Sequence, residues 1–396
     1  METGSASQRK PASIVQVQSN GSISELHGWI VGIPGLAQRA RRKEDGMQYL
    51  WKTKVKQLCI ISLTWLFALT AISWTQELKA NPDQRTGPAA AGTLEDWNTL
   101  TLSDGVLTPE VPLLGEKDNF PQFTRELIQV KWRHGDPIDL YVIRPKGVGN
   151  PPVILYLYSY PSETDRFRDD SYCARVTKDG FAAIGFVSAL TGHRYQNRPM
   201  KQWFVSELPE ALGSSVHDVQ MILNYLATRG DLDMTKVGMF GEGSGGTIAV
   251  LSAAVDPRIK TVDLLDPWGD WPDWMAKSEL IPEAERSNYV KPEFLKKVAA
   301  FDPVQWLPHL TSQHVRIQQV MDDSITPKAA KERINAVTPP DAQVVQYDST
   351  REFFGAAAGG RIFQWAKEQL KPAPAKAPAI QASQKPGVRA VESGRD

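Results

Sequence analysis

The stretch GMFGEGSGGT, residues 238–247, carries the chain from apolar residues directly into a run of glycines around one serine. Three kinds of turn contain such a run: one that presents a catalytic nucleophile between a strand and a helix, one that binds a dinucleotide, and a nucleophile turn whose reactive side chain is missing. Each kind predicts a different function, so the register of the glycines decides between them.

The register favours a turn centred on a glycine. A nucleophile turn needs small residues two positions before and two positions after the reactive residue. Centring the turn on Ser244 places Glu242 where a small residue is needed, whereas centring it on Gly243 places Gly241 and Gly245 at the two flanks. The spacing therefore predicts that Gly243, which has no side chain, occupies the position of the nucleophile.

A dinucleotide-binding turn is the least favoured alternative. Gly241, Gly243 and Gly246 satisfy the spacing G-x-G-x-x-G, and Asp263 follows about 20 residues later, where an acid binds the ribose in such folds. That motif normally follows the first strand of its domain, however, and here several predicted strands come before it. NAD(H) binding, measured by fluorescence quenching, tests this alternative.

Strand and helix patterns alternate along residues 106–370. The patterns typical of strands lie at 124–132, 138–144, 152–158, 181–187, 236–240, 259–265, 315–321 and 342–347. The patterns typical of helices lie at 216–229, 329–336 and 360–370. This alternation predicts an α/β fold with a mostly parallel sheet flanked by helices.

Residues 231–241, DLDMTKVGMFG, resemble the approach to the nucleophile turn in the α/β-hydrolase superfamily, in the branch of dienelactone hydrolases and prolyl-oligopeptidase-like esterases and peptidases. The resemblance covers about residues 120–370 and includes 152–158 and 302–304. It implies the α/β-hydrolase fold with a small cap after the sixth strand, and a small-molecule ester, peptide or related ligand.

The triad that the resemblance implies is incomplete. Its acid corresponds to Asp323 in VMDDSITP, with Asp322 as the second choice, and its histidine position is taken by Arg351. No histidine of the chain follows Asp323, although the order is nucleophile, acid, histidine. An arginine remains protonated and cannot act as a general base near neutral pH, so Arg351 is expected to pair with Asp323 instead.

Two functions remain open from the sequence. One is a pseudoenzyme that binds a ligand in the former active-site cleft. The other is a divergent serine hydrolase in which Ser244 is the nucleophile and Glu242, His193 or His217 is the base. Glu242 at a helix start, His193 in a loop and His217 beside an acid on a helix also have purely structural explanations.

Aromatic residues mark candidate walls of the cleft. The loop that begins at Tyr158 and Ser159 has the position of an oxyanion loop but lacks the His-Gly pair usual there. After the sixth predicted strand, DPWGDWPDWMAKS places Trp268, Trp271 and Trp274 at three-residue spacing. These tryptophans are expected either to line the pocket or to pack on the core.

Composition restricts the partners. Lys and Arg total 45 and Asp and Glu total 45, so no net charge attracts nucleic acid. Asp266, Asp270 and Asp273, which accompany the three tryptophans, are also candidates for the cleft, but they lack calcium-loop spacing. No His/Cys cluster fits zinc, so we expect neither a metal nor a cofactor. Cys173 is expected to be a small buried apolar residue.

The N-terminal part of the chain predicts export. Residues 47–75 contain lysines, an apolar run from Leu58 to Ser73 and small residues at its end, which together are typical of a signal peptide. The alternative is an uncleaved single-pass anchor, through which alone the protein would contact a membrane. We expect residues 1–46 to be an upstream or disordered extension, 76–105 a linker, 106–370 the α/β domain, and 371–396 a disordered tail rich in Ala, Pro and Lys.

Overall fold

A computed structural model describes the chain over the following residues: the backbone of 14–16, and 95–371 without 104–106, 108–109, 134–135, 162, 191–204, 206, 311–312 and 359. The predicted signal segment 47–75, the first extension apart from 14–16, and nearly all of the tail lie outside the described residues. Among the described residues, no helix is both long and apolar enough to cross a bilayer.

The centre of the fold is one twisted sheet. Its strands are β1 (Ile14–Gln16), β2 (Leu113–Asn119), β3 (Phe123–Arg133), β4 (Asp136–Pro145), β5 (Pro152–Leu157), β6 (Ala182–Phe186), β7 (Asp233–Glu242), β8 (Ile259–Leu265), β9 (His314–Val320) and β10 (Gln343–Tyr347). Their spatial order is β1-β10-β9-β8-β7-β5-β6-β4-β3-β2. In this spatial order, all neighbouring strands from β1 to β6 are parallel. The pairs β6–β4, β4–β3 and β3–β2 at the other edge are antiparallel. The predicted α/β class and mostly parallel sheet are confirmed.

Helices connect and cover these strands. They are α1 (Asp170–Thr177), α2 (Leu208–Arg229), α3 (Ser244–Val255), α4 (Trp271–Lys277), α5 (Glu283–Tyr289), α6 (Pro292–Val298), α7 (Pro303–Trp306), α8 (Lys328–Val337), α9 (Thr350–Ala358) and α10 (Arg361–Leu370). Helices α4 to α7 lie between β8 and β9 and form the small cap predicted after the sixth strand.

Strand alternation divides the core between the two faces of the sheet. On β5, Val153 and Leu155 face the apolar cluster that includes α2, α3 and the cap. Ile154 and Tyr156 face the second cluster, which includes α1, α9 and α10. Cys173 is fully buried in the second cluster, as predicted, and burial raises the pKa of its thiol to about 11.

The second half of the predicted linker is folded onto the domain. Leu100 is buried in the core, and the Leu102 amide donates to Gln220 on α2 at 3.0 Å. Glu95 approaches Nδ1 of His217 at 2.6 Å, and Nε2 of the same ring lies 2.8 Å from the Thr99 carbonyl oxygen. The domain therefore begins before residue 106, because these polar and apolar contacts fix residues 95–103 against α2.

Candidate functional site

A cleft opens at the carboxyl ends of five parallel strands, where ligands bind in open α/β sheets, and it encloses about 690 Å³ when the space open to solvent is included. The residues that follow β5, β7, β8, β9 and β10 all contribute to its wall. The lining consists of Ser159, Tyr160, Glu242, Gly243, Leu265, Asp266, Trp268, Leu280, Val320, Asp323, Ile325, Thr326, Thr350 and Phe353.

The turn between β7 and α3 places Gly243 at its centre. Gly243 has φ 54° and ψ −116° and directly precedes the first residue of α3. Its amide donates to the Leu265 carbonyl oxygen of β8 at 2.9 Å, which fixes the turn against the neighbouring strand. A side-chain-bearing residue would be strained in this backbone conformation, whereas glycine adopts it readily.

The space beside Gly243 is filled by other residues. A Cβ atom built on Gly243 would lie 2.9 Å from the Ser159 Cβ, closer still to the Ser159 Oγ, and 3.0 Å from the Trp268 Nε1. These separations are shorter than van der Waals contact. The Ser159 side chain therefore lies where a side chain at residue 243 would project.

Ser244 does not face the cavity. Its side chain is fully buried at the start of α3, and its Oγ accepts a hydrogen bond from the Tyr160 amide at 2.9 Å. This bond attaches the loop after β5 to the helix. A hydroxyl in that position is inaccessible to a ligand in the cavity, so the placement favours a structural role for Ser244.

Glu242 lines the cavity but is already paired. Its carboxylate accepts from Arg166 Nη1 at 2.9 Å, and the Arg166 guanidinium lies 4.0 Å from the centroid of the Tyr158 ring. The nearby carboxylate raises the pKa of Arg166 despite the opposing effect of burial. Tyr158 itself lies in the core, where its hydroxyl is 2.6 Å from that of Tyr172 and burial raises its pKa to about 12.

Asp323 shares a buried ammonium group with Asp266. Asp323 accepts from the amide of Thr326 at 3.0 Å, and Lys331 Nζ lies 3.9 Å from its Oδ2 and 3.7 Å from the Asp266 Oδ1. Burial raises the pKa of both carboxyl groups, and Lys331 partly opposes that effect. Asp266 follows β8 directly, has a positive φ of 42° and lines the cavity, and both of its carboxylate oxygens accept from the Val320 amide at 3.2 Å.

The predicted ion pair between Arg351 and Asp323 is absent from the described part of the chain. Arg351 is exposed on α9, while the preceding residue, Thr350, lines the cavity. Asp322 accepts from both the amide and the hydroxyl of Thr350, each at 2.7 Å. The start of α9 turns Arg351 to solvent, so Lys331 rather than Arg351 is the cation beside Asp323.

The three tryptophans of the cap have different positions. Trp268 contributes to the cavity wall, whereas Trp271 and Trp274 do not. Trp271 and Trp274 are buried and pack edge to face, with ring centroids 5.6 Å apart. Their large apolar rings stabilise the cap against the core. For these two tryptophans, packing on the core is therefore the expectation that applies, rather than lining the pocket.

Other candidate residues serve the fold or lie outside the described residues. His217 is buried between Glu95 and Thr99, far from the cavity lining, and His193 lies outside the described residues. Asp263 is buried within β8 and accepts from Arg316 at 2.6 and 2.9 Å, so it is not available to a ribose. This removes the acid on which the dinucleotide alternative depended.

Several cavity residues were not singled out from the sequence. They include Thr350 and Phe353, and Arg166 and Lys331 just behind the wall. Lys331 gave no usable sequence signal, since a lysine on a helix is normally exposed. Asp266, in contrast, was among the acids beside the three tryptophans that were candidates for the cleft, and it lines the cavity.

No known family model matches the chain. Its backbone superposes on acetyl xylan esterase 1 from Thermoanaerobacterium sp. JW/SL YS485 with a TM-score of 0.50 and 15% sequence identity, over 66% of this chain and 88% of that one. The protein has the α/β-hydrolase fold. An acetyl xylan esterase from Paenibacillus sp. R4 aligns with a TM-score of 0.49 and 16% identity, over 65% of this chain and 89% of that one.

One curated protein is also similar in sequence to this α/β-hydrolase-fold chain. It is "Putative hydrolase YtaP" of Bacillus subtilis (strain 168), 26% identical over an alignment 140 residues long that covers 31% of this chain and 46% of that protein. The match therefore spans about half the length of the relative. The fold and its relatives agree with the resemblance found in residues 231–241.

Proposed function

We propose that this α/β-hydrolase-fold protein is related to esterases and peptidases, has lost the triad at its usual positions and retains a ligand-binding cleft. The observation that carries the proposal is the strained turn with Gly243 at its centre. The backbone has the shape that presents a nucleophile, but the residue has no side chain.

The surroundings of Gly243 support the loss of the usual chemistry. Ser244, the next residue, is buried and bonded to the Tyr160 amide. None of the described residues that line the cavity is a histidine. A serine hydroxyl without a neighbouring base is a weak nucleophile, and loss of the triad removes most of a rate factor of about 10⁶.

The cleft is suited to a small ligand with an apolar part. Leu265, Leu280, Val320, Ile325 and Phe353 contribute apolar surface to the cavity, and Glu242, Asp266 and Asp323 contribute polar surface. Such a combination orients a small molecule by a few polar contacts and holds it by burial. We therefore propose a small ester, a peptide or a related compound as the ligand.

The test separates binding from turnover. Short-chain p-nitrophenyl esters and aminoacyl p-nitroanilides are assayed for hydrolysis, and the carboxylic acids and amides that correspond to them are assayed by thermal shift. We expect thermal stabilisation by at least one ligand and no turnover that depends on Ser244. Turnover abolished by Ser244→Ala in a folded variant would instead support an active hydrolase that uses Ser244.

A blocking variant locates the binding. Leu280 lines the cavity and is partly exposed, so Leu280→Trp is expected to fill the cleft and abolish the thermal shift. Val290 is exposed on the cap and does not line the cavity, which makes Val290→Trp a matched control that keeps the shift. A shift that survives Leu280→Trp would contradict binding in the cleft.

We also propose that the protein is exported, on the basis of residues 47–75. N-terminal sequencing of the protein from its native host tests this proposal. A mature chain that begins shortly after Ser73 is expected, and a chain that begins near Met1 would contradict cleavage.

A further inference from the structure

We propose that Ser159 is the nucleophile of a relocated acyl-transfer site that acts on small carboxylic esters. The inference rests on the cleft proposed above and adds a reactive residue to it. Its starting observation is that the Ser159 side chain occupies the space into which a side chain at Gly243 would project.

The fold brings Ser159 to this position from a neighbouring strand. Strands β5 and β7 are paired in parallel, with Leu157 beside Gly241, so the residues that follow both strands meet at the same edge. Two residues after Leu157, Ser159 lies beside the centre of the nucleophile turn. A hydroxyl lost from one strand end is thereby replaced by a hydroxyl from the next.

Ser159 is accessible, unlike Ser244. Ser159 is partly exposed and lines the cavity, and its hydroxyl makes no hydrogen bond to any residue of the described chain. The Ser244 hydroxyl is fully buried and accepts from the Tyr160 amide. Of these two serines, only Ser159 presents a hydroxyl to a ligand in the cleft.

The surroundings of Ser159 suit the negative charge that develops on an acyl oxygen. Helix α3, which is 12 residues long, begins at Ser244, and the amides of its first turn have no acceptor within the helix. The positive end of the helix dipole lies at this end of the helix, next to Gly243.

A carboxylate on the same cavity wall is the proposed base. Glu242 is held by Arg166 at 2.9 Å, whereas Asp323 has its nearest cation, Lys331, at 3.9 Å. Burial raises the pKa of Asp323, which makes its carboxylate a better proton acceptor than an exposed one. Asp323 accepts the serine proton directly or through a bridging water.

The proposed reaction needs only the ester and water as reactants. The Ser159 Oγ forms a bond to the acyl carbon, its proton passes to Asp323, and the alcohol leaves with that proton. Water then attacks the acyl-serine ester, Asp323 takes a proton from the water, and that proton returns to the Ser159 Oγ as the carboxylic acid departs. The net change is hydrolysis of one ester bond.

The test is covalent labelling of the full chain with a fluorophosphonate, followed by peptide mapping by mass spectrometry. The serine oxygen displaces fluoride from phosphorus, so the label marks the reactive residue. We expect the label on Ser159, its loss in Ser159→Ala, and slower labelling in Asp323→Asn. Ser171→Ala is the matched control, because Ser171 is exposed on α1 outside the cavity, and it should label like the unmodified protein.

A conservative variant distinguishes chemistry from folding. Ser159→Cys retains a nucleophile of similar size, so it should form an acyl-enzyme with p-nitrophenyl acetate at that residue, whereas Ser159→Ala should not. Label on Ser244, or labelling that survives Ser159→Ala, would overturn the inference. Absence of label together with ligand binding in the cleft overturns the inference alone, while absence of both also contradicts the proposed function.

Discussion

At the scale of single residues, the backbone of Gly243 and the side chain of Ser159 depend on each other. The positive φ of Gly243 is strained for a residue with a Cβ atom, and the space that such an atom needs is occupied by Ser159 and Trp268. Gly243 is therefore required for two independent reasons. These reasons can be separated by substitution.

Gly243→Ala should lower the free energy of unfolding by about 3 kcal/mol or more, because backbone strain and overpacking both contribute. Gly230, the left-handed residue after α2, is the control, since it has φ 70° and no atom within 4 Å of a built Cβ. Gly230→Ala should lose only about 1–2 kcal/mol, from strain alone. Urea unfolding measures both values.

The share of the stability loss that comes from overpacking should depend on the side chain at residue 159. In Gly243→Ala/Ser159→Gly, the most severe contact is removed, so the double variant should lose less stability than the sum of the two single changes. Additive losses would show that Ser159 does not occupy the space in question.

The candidate site was only partly predictable from the sequence. The register of the nucleophile turn followed from the spacing of Gly241, Gly243 and Gly245. The need for small residues on both sides of the central position is a local requirement, so the sequence shows it directly. Which residues face the cavity was not local: Thr350 rather than Arg351 lines the wall because of the direction in which α9 begins. The burial of Ser244 likewise depends on a contact with Tyr160, 84 residues away in sequence.

At the scale of elements, α8 closes the acidic side of the cavity through one buried lysine. Lys331 lies on the buried face of the helix with Ala330 and Ile334. Its ammonium group donates to the backbone carbonyl oxygens of Val320 and Asp323, at the end of β9. The helix thus positions the loop that carries Asp323.

Lys331→Met should lower the free energy of unfolding by about 3–5 kcal/mol, because it leaves buried carboxylates without their cation. Lys328→Met is the matched control on the same helix; the Lys328 side chain is 76% exposed, so its change should stay within about 0.5 kcal/mol. Equal losses in the two variants, measured by urea unfolding, would refute the assigned role of Lys331.

The elements that sequence patterns missed are those with weak apolar periodicity. Strand β2 reads LLGEKDN, lies at the sheet edge and exposes Leu113 and Leu114, so burial imposes no alternation on it. Helix α1, DSYCARVT, is short and polar at its start. The predicted strands that are confirmed, such as 152–158 and 259–265, are buried on both faces, where apolar runs are unavoidable.

At the scale of the whole molecule, a buried ionic network attaches residues 95–103 to the domain. Arg133 at the end of β3 pairs with Glu95 at 2.5 Å and with Asp218 of α2. Glu95 also contacts His217. Burial alone would raise the pKa of Glu95, but hydrogen bonds from Arg133 and His217 outweigh it and hold this pKa at about 2.

This network predicts that the free energy of unfolding decreases at acidic pH. Because the pKa of Glu95 falls from 4.5 in the unfolded chain to about 2 in the folded one, its contribution is complete above pH 4.5 and is lost as the pH falls toward 2. Glu95→Gln should remove this contribution, on the order of 2 kcal/mol at pH 7. Urea unfolding between pH 3 and pH 7 measures the effect.

The buried Asp266 and Asp323 act in the opposite direction. Their raised pKa values favour the folded state at low pH and weaken it as the pH rises through those values. Both carboxyl groups are the same in the two proteins, so the difference between the stability curves isolates Glu95. Curves that stay parallel from pH 3 to pH 7 would exclude the role given to Glu95.

The filled space beside Gly243 also constrains the history of this protein. A serine at residue 243 is a single substitution away, yet it would collide with Ser159 and Trp268. A lineage that placed a nucleophile at residue 243 would first have to replace residue 159, and that first step offers no catalytic advantage by itself. If the nucleophile was lost as proposed, the arrangement acts as an evolutionary ratchet, because a single substitution at residue 243 would not restore it.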